Sequence, residues 1–258
     1  DFLQRLPFAL RTLDLMRVNY RVPHVEGLDA DVLTLEASTR VQLFAPIGGA
    51  VIRYTVDGSD VTPASPIYRA PFDLPVTREG TTVSARAFAR NGRVSALRTA
   101  TYRRTTYRDA DRVDARALTA GLRFAYAETA VRSTSQIDTL PALREGTIAQ
   151  LRLLGEGSAE QYTLRFDGYL AIPRDGMYEF ALTSDDGSVL EIGGSVLVNN
   201  DGLHGTEQKN GMIALRKGLH PIVVRYFQAG GGAELGVSVR GVDALWQELP
   251  ASWLRRAR

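Results

Sequence analysis

The sequence predicts an all-β protein: two β-sandwiches, the second larger than the first, preceded by one N-terminal amphipathic helix. Three observations carry this. Apolar residues alternate with period two from about residue 32 onward. Turn dipeptides such as Asp57-Gly58, Asn91-Gly92, Asp167-Gly168 and Asp186-Gly187 punctuate the chain at short intervals. No long three-to-four-spaced apolar pattern interrupts the strands, which argues against an α/β layering. A chain of 258 residues suits two domains, each able to bury a core of its own.

Before the strands, Phe2, Leu3, Leu6, Leu10, Leu13 and Met16 repeat with the spacing of one helix face. Pro7 is awkward inside a helix because it lacks a donor, so the helix is expected to begin near Leu6. It should end before Pro23, since a residue preceding proline avoids the α region. In the first sandwich, strands are expected at 32–36, 41–44, 51–56, 82–89 and 94–102, with Asp57-Gly58 and Asn91-Gly92 as hairpin turns. Residues 105–118 lack the alternation and read as a solvated linker, where Arg108 and Arg112 interleave with Asp109 and Asp111. Strands then resume at 122–127, 148–154, 161–172, 176–183, 189–192, 196–198, 211–215, 218–227 and 233–239. Residues 245–253 are expected to fold back as a cap, and Arg255, Arg256 and Arg258 to form a frayed basic end.

The charge balance excludes some classes of function. Thirty-one basic against 29 acidic residues give a net charge of +2, too little field for a nucleic-acid binder. There is no cysteine, so neither disulfides nor thiolate metal sites are available. No apolar run approaches the ~18 residues of a membrane span. The chain starts without methionine inside a helical pattern, and is expected to be a piece of a longer protein.

Two stretches resemble known domains. Phe166-Asp167-Gly168-Tyr169-Leu170, Pro173-Arg174-Asp175-Gly176-Met177-Tyr178-Glu179-Phe180, Thr183-Ser184-Asp185-Asp186-Gly187-Ser188 and the run from Gly218 to Phe227 together resemble the anthrax protective-antigen type β-sandwich. Ile52-Arg53-Tyr54-Thr55-Val56-Asp57-Gly58-Ser59-Asp60-Val61-Thr62-Pro63, with Ser65-Pro66-Ile67-Tyr68, resembles the chitobiase/β-hexosaminidase C-terminal domain, an immunoglobulin-like module. Val61 stands where proline is expected. The opening run, Asp1 to Pro7 with Leu13-Asp14 and Val18 to Pro23, is similar to the last barrel helix and exit strand of family-twenty β-N-acetylhexosaminidases. These resemblances imply residual barrel at 1–27, an immunoglobulin-like sandwich at 28–104, a linker at 105–118 and a protective-antigen type sandwich at 119–258. They also imply that the catalytic Asp-Glu pair lies on an absent barrel of about 250 residues, so this chain is not expected to hydrolyse anything.

In sugar-binding members of the protective-antigen type, adjacent aspartates hold a calcium ion that contacts sugar hydroxyls. The resemblance therefore makes Asp185 and Asp186 candidate metal ligands. Side chains in a strand alternate faces, so bringing both to one ion needs an unusual backbone, such as a cis peptide. Calcium takes six to eight oxygens, and Asn200 and Asp201 are the nearest further donors in sequence, with Asn199 and His204 as carbohydrate candidates. The competing reading is a tight Asp-Asp-Gly turn whose carboxylates cap backbone donors. His220 reads as packed or exposed, and Gly230-Gly231-Gly232 as a hairpin loop. Tyr226, Phe227, Trp246 and Trp253 would make a sugar-stacking platform if exposed, although neighbours in one strand face opposite ways.

The expectation for the whole is a non-catalytic accessory region of a bacterial, periplasmic or secreted β-N-acetylhexosaminidase. Its partners would be an N-acetylhexosamine-containing glycan, the catalytic barrel upstream and a second copy in a homo-oligomer. Two alternatives stand beside it: a structural or oligomerisation module, favoured if Leu3, Leu6, Leu10 and Leu13 are exposed, and an accessory region of a fucosidase or sulfatase.

Overall fold

The structure, a computed structural model, describes residues 2–16, 18, 21–28, 31–45, 47–154, 160–241 and 244–258. It is nearly all β, and the chain separates into two compact units, Asp1–Thr105 and Thr106–Arg258.

The first unit opens with helix α1 (Phe2–Leu15), which starts about one turn earlier than the sequence suggests and continues through position 7. A proline there costs the helix one backbone bond, while Leu10 is buried and Leu13 packs against the core. The face whose exposure would favour a structural module is therefore partly covered: Leu10 and Leu13 point inward, and the side chains of Leu3 and Leu6 lie outside the described residues. So do Asn19 and Tyr20 of the opening motif. The outward face instead carries Phe8, Leu15 and Met16, at 77%, 79% and 69% exposure.

The strands of this unit are β1 (Val32–Thr34), β2 (Ser38–Val41), β3 (Val51–Thr55), β4 (Phe72–Pro75), β5 (Thr81–Phe88) and β6 (Arg98–Arg104). They form one sheet in the order β1-β6-β5-β3, with β1 parallel to β6, and a second of β2 with β4. Val41, Leu43, Ile52, Leu74, Val83, Ala85 and Ala100 fill the space between. Asn91-Gly92 turns β5 toward β6 as expected. Asp57-Gly58 does not link two ladder strands: the returning segment makes one bridge, Arg53 to Ile67, and β3 pairs with β5. Strand β4 went unread because Phe72-Asp73-Leu74-Pro75 is short and ends in proline.

The second unit contains β7 (Leu118–Ala120), β8 (Leu122–Ala127), β9 (Arg144–Ile148), β10 (Tyr162–Ile172), β11 (Gly176–Asp185), β12 (Ser188–Ile192), β13 (Ser195–Asn200), β14 (Glu207–Leu215), β15 (Gly218–Gln228), β16 (Glu234–Gly241), β17 (Gln247–Glu248) and β18 (Leu254–Ala257). One sheet runs β13-β12-β15-β10-β18-β7, with β8 also on β10 and β9 on β8; the other runs β14-β11-β16-β17. Inward residues of both sheets share one core, including Phe166, Phe180, Leu182, Val224, Tyr226 and Val239. Each such side chain contributes roughly 1.5–3 kcal/mol of burial, which fixes the register, since a one-residue slip would turn the whole set outward.

Three expectations change here. Residues 149–154 are not strand; the pairing segment is β9 just before them. The basic C-terminus is not frayed: Leu254 is fully buried and β18 pairs with β10 and β7, so the backbone ladder holds the arginines in place. Gly168 is no turn but mid-strand, where a Cβ would sit 2.4 Å from the carbonyl oxygen of Arg255; only glycine lets β18 approach.

The stretch from 106 to 111 is not a solvated linker either. Arg108 and Asp111 bridge to Leu215 and Leu219, the Tyr107 ring lies 4.2 Å under the Arg216 guanidinium, and Arg108 packs over Gly193. Backbone pairing overrides the polar composition. No helix among the described residues is long and apolar enough to cross a membrane.

Candidate functional site

Strand β11 ends and β12 begins around Ser184-Asp185-Asp186-Gly187-Ser188, and the Asp185–Asp186 peptide is cis. Asp186 is nearly buried, and its two carboxylate oxygens accept from the backbone N–H of His204 (3.2 Å) and of Ala229 (2.8 Å). Among the described residues no donor lies within hydrogen-bonding distance of the half-buried Asp185 carboxylate, which faces Gly232. The pair is thus split: one carboxylate caps two backbone donors, as a plain turn would have it, and its neighbour has no hydrogen bond among the described residues. Gly187 closes the turn because a Cβ there would lie 2.8 Å from backbone atoms of Gly202 and 2.4 Å from the Phe227 ring.

The loop from Asn199 to Gly205 folds against this turn. Asn200, fully buried, donates through Nδ2 to Ser184 Oγ (3.0 Å) and to the Glu207 carbonyl (3.1 Å). Ser184 Oγ in turn lies 2.7 Å from Ser188 Oγ, and both serines are fully buried. Among the described residues Asn200 Oδ1 has no hydrogen-bond partner, and it is buried from solvent. An acceptor left dry in this way costs about 1–3 kcal/mol and calls for an explanation, an ion or a water among the foremost.

His204 spans the loop. Its Nδ1 lies 2.7 Å from the Gly205 carbonyl oxygen and its Nε2 2.9 Å from that of Asn200. Burial pulls its pKa down, but the two carbonyls and the Glu207 carboxylate push it up further, so the net shift is upward. The ring braces the loop while the backbone N–H of the same residue holds Asp186.

Two sequence candidates are committed elsewhere. Asp201 points to the 3₁₀ turn Thr134–Thr139: Oδ1 accepts from Thr134 N (2.8 Å) and Oδ2 from Ser133 Oγ (2.7 Å). Asn199 is exposed, and its Oδ1 accepts from Asp201 N in a local turn (3.0 Å). The structure therefore brings Asp186, Asn200 and His204 together and turns Asp201 and Asn199 away. Among the described residues no three carboxylates or imidazoles converge; a hard cation here would have to use carboxylate together with amide oxygen.

The aromatic platform is not formed by Tyr226 and Phe227, which are both fully buried, Tyr226 in the main core and Phe227 under Val131 and Ile137. Trp253 stands edge-on to Tyr178, and Trp246 is 39% exposed beside the Arg240 guanidinium. His220 is packed, not exposed: Arg108 donates to Nδ1 and Nε2 donates to the Arg216 carbonyl. Sequence reasoning missed Ser184, Ser188 and the backbone of Ala229, since serines in a strand and an alanine after it carry no signal.

Residues 155–252 match the PA14 domain family, and residues 33–99 match the chitobiase/beta-hexosaminidase C-terminal domain. A beta-hexosaminidase of Porphyromonas gingivalis (strain ATCC BAA-308 / W83) is 25% identical over 233 residues, covering 86% of this chain and 29% of its own length. The chain thus spans less than a third of that relative. Two solved structures are similar at low identity. The PA14 sugar-binding domain from an RTX adhesin has 18% identity and a TM-score of 0.48, over 54% of this chain and 99% of its own. The Epithelial Adhesin 9 A domain of Candida glabrata, in complex with Galb1-3GlcNAc, has 10% identity and a TM-score of 0.45, over 59% and 97%. The two family matches fall one in each compact unit, the chitobiase/beta-hexosaminidase C-terminal domain in the first and the PA14 domain in the second.

Proposed function

We propose that this chain is a non-catalytic accessory region of a β-N-acetylhexosaminidase, and that its PA14 domain binds calcium and, through it, a glycan. The observation that carries the proposal is the fully buried Oδ1 of Asn200, without a hydrogen-bond partner among the described residues, in the loop that folds on the aspartate pair. Asp185, whose carboxylate has no hydrogen bond among the described residues, Asp186 and Asn200 Oδ1 offer hard oxygen donors of the kind calcium takes. Asp186 retains acceptor capacity, since each of its oxygens takes only one N–H. Asp201 is not needed as a donor; it anchors the loop from the other side. Calcium, when bound, supplies a positive charge with open coordination positions for sugar hydroxyls. His204 orients the loop, and Gly187 keeps the turn and loop backbones in contact.

Several observations support the glycan half: the order of the two matched domains, the similarity to a beta-hexosaminidase, and the acidic character of the turn. The glycan class follows from that relative, namely chains ending in N-acetylhexosamine. A bacterial periplasmic or secreted setting fits the same reading. The test is retention on an array of N-acetylhexosamine-terminated glycans with and without calcium. Retention abolished by chelator is expected; a calcium-loaded protein that retains no glycan would contradict the glycan half.

One observation favours a structural role in addition. The outward face of α1 exposes Phe8, Leu15 and Met16, surface that more of a longer polypeptide or a second copy would cover. Sedimentation of this chain with Phe8→Ser/Leu15→Ser tests it: self-association lost in the variant supports the role, and a monomeric wild type counts against a second copy.

A further inference from the structure

We propose that Tyr226 is a positioning residue of the candidate site: its hydroxyl fixes the Asp185 peptide and so aims the aspartate pair. The proposal rests on the calcium reading for its functional consequence, but the geometry stands apart from it. Tyr226 lies near the end of β15, fully buried, with its hydroxyl 2.5 Å from the Asp185 carbonyl oxygen and 2.8 Å from Gln228 Oε1. Both neighbours are acceptors, so the phenol acts only as a donor toward them.

The same strand end supplies the other supports. Phe227 N donates to the Gly187 carbonyl (2.9 Å), Ala229 N to Asp186 Oδ2, and Gln228 Nε2 to the Gly232 carbonyl beside the Asp185 carboxylate. Residues 226–229 therefore hold Asp185, Asp186 and Gly187 one after another, and Tyr226 is the member that does so through a side chain reaching across the core. A tyrosine in a strand core needs no hydroxyl for packing; phenylalanine would bury as well. A buried hydroxyl is retained where it has a partner to hold, and here that partner is the peptide that sets the direction of both carboxylates.

Tyr226→Phe removes the hydroxyl and keeps the ring. Tyr178→Phe is the control, another buried phenol, whose hydroxyl donates to the Arg174 carbonyl (2.7 Å). Amide hydrogen exchange, read without calcium, should quicken at least tenfold at His204 and Ala229, the two donors to Asp186, relative to Val224 in mid-strand. Calcium affinity should fall at least tenfold. Tyr178→Phe should leave both unchanged once its general loss of stability is subtracted. Exchange that is unaltered, or faster by one factor throughout the sandwich, would overturn the proposal. If Tyr226→Phe fails to fold, wild-type NMR decides. A protected Tyr226 hydroxyl proton close to the Asp186 amide supports the role; a freely exchanging one overturns it. A wild type that binds no calcium would sink the calcium reading, while the exchange pattern still judges Tyr226.

Discussion

Arg108 donates to Nδ1 of His220 at 2.8 Å, and the other ring nitrogen of His220 lies 2.8 Å from the Arg216 carbonyl. The Arg216 carbonyl can only accept, so Nε2 carries the proton, Nδ1 accepts, and the ring is neutral. Protonation would set a second cation against the guanidinium. The segment around residue 108 is thereby locked to the sandwich through a neutral histidine.

The first prediction is a pH dependence. Burial first, and then the Arg108 charge, lower the His220 pKa below its ordinary value, outweighing the Arg216 carbonyl and Asp111, which act the other way. A histidine with a depressed folded pKa binds its proton more tightly when unfolded, so stability falls as pH drops below about 6.5, the unfolded value. His204, whose pKa is raised, contributes with opposite sign: its share is full below that value and fades as pH rises through the folded pKa. Melting curves of wild type and His220→Gln between pH 7.5 and 5 separate the two. The difference between them should shrink as pH falls; a constant difference would contradict the assignment.

A second prediction concerns Gly193, with φ of +68° and a Cβ position 1.7 Å from Arg108 Nε. Gly193→Ala should cost about 1–2 kcal/mol in backbone strain and a further ~1–3 kcal/mol from displacing Arg108. Gly194, with φ of +82° and nothing within 4 Å, pays only the backbone part. Urea unfolding of the two variants should differ by the displacement term, and equal losses would contradict the packing of Arg108.

Asp201 caps a turn. Asp201→Ala should lower stability by roughly 1–2 kcal/mol, as the loss of an N-terminal cap does, and leave calcium affinity within about twofold. A large loss of affinity, measured by calorimetry, would instead return Asp201 to the ligand set.

Asp138 accepts from Arg225 Nε and Nη2, at 2.9 and 2.6 Å, and pairs with Arg165, the register partner of Arg225 on β10. Removing the carboxylate leaves two adjacent cations with one carboxylate each, Glu191 on Arg225 and Asp167 on Arg165, and Arg225 is only 13% exposed in its side chain. Breaking a buried pair costs ~3–5 kcal/mol; the half-exposed Asp138 reduces that to about 1–2 kcal/mol for Asp138→Ala in urea unfolding. A neutral result would show that solvent replaces the carboxylate.

Much of the fold was legible because alternation and turn dipeptides are local signals. Residues 161–172 and 218–227 read as strands since apolar residues recur there at every second position, with Arg165 and Asp167 between them in the first and Arg225 in the second. Leu254–Ala257 was illegible because its arginines resemble a solvated tail, and only pairing with β10 and β7 makes it strand. The 106–111 stretch failed for the same reason. At the site, Asp185, Asp186, Asn200 and His204 could be named from their types and neighbourhood. Asp201 lies just past the end of β13, and its targets, the Ser133 hydroxyl and the Thr134 backbone N–H, lie 68 and 67 residues earlier and are invisible in sequence. The hydroxyl of Tyr226 was hidden for a related reason: its side chain reads as core.

The most direct test of the central claim is a calorimetric titration of calcium into this chain, wild type beside Asp185→Asn/Asp186→Asn. The account predicts saturable binding in the wild type, lost in the variant, and a melting temperature that drops on adding chelator to the wild type alone. No heat in the wild type, with a melting temperature indifferent to chelator, would contradict it and leave the Asp-Asp-Gly segment as a structural turn.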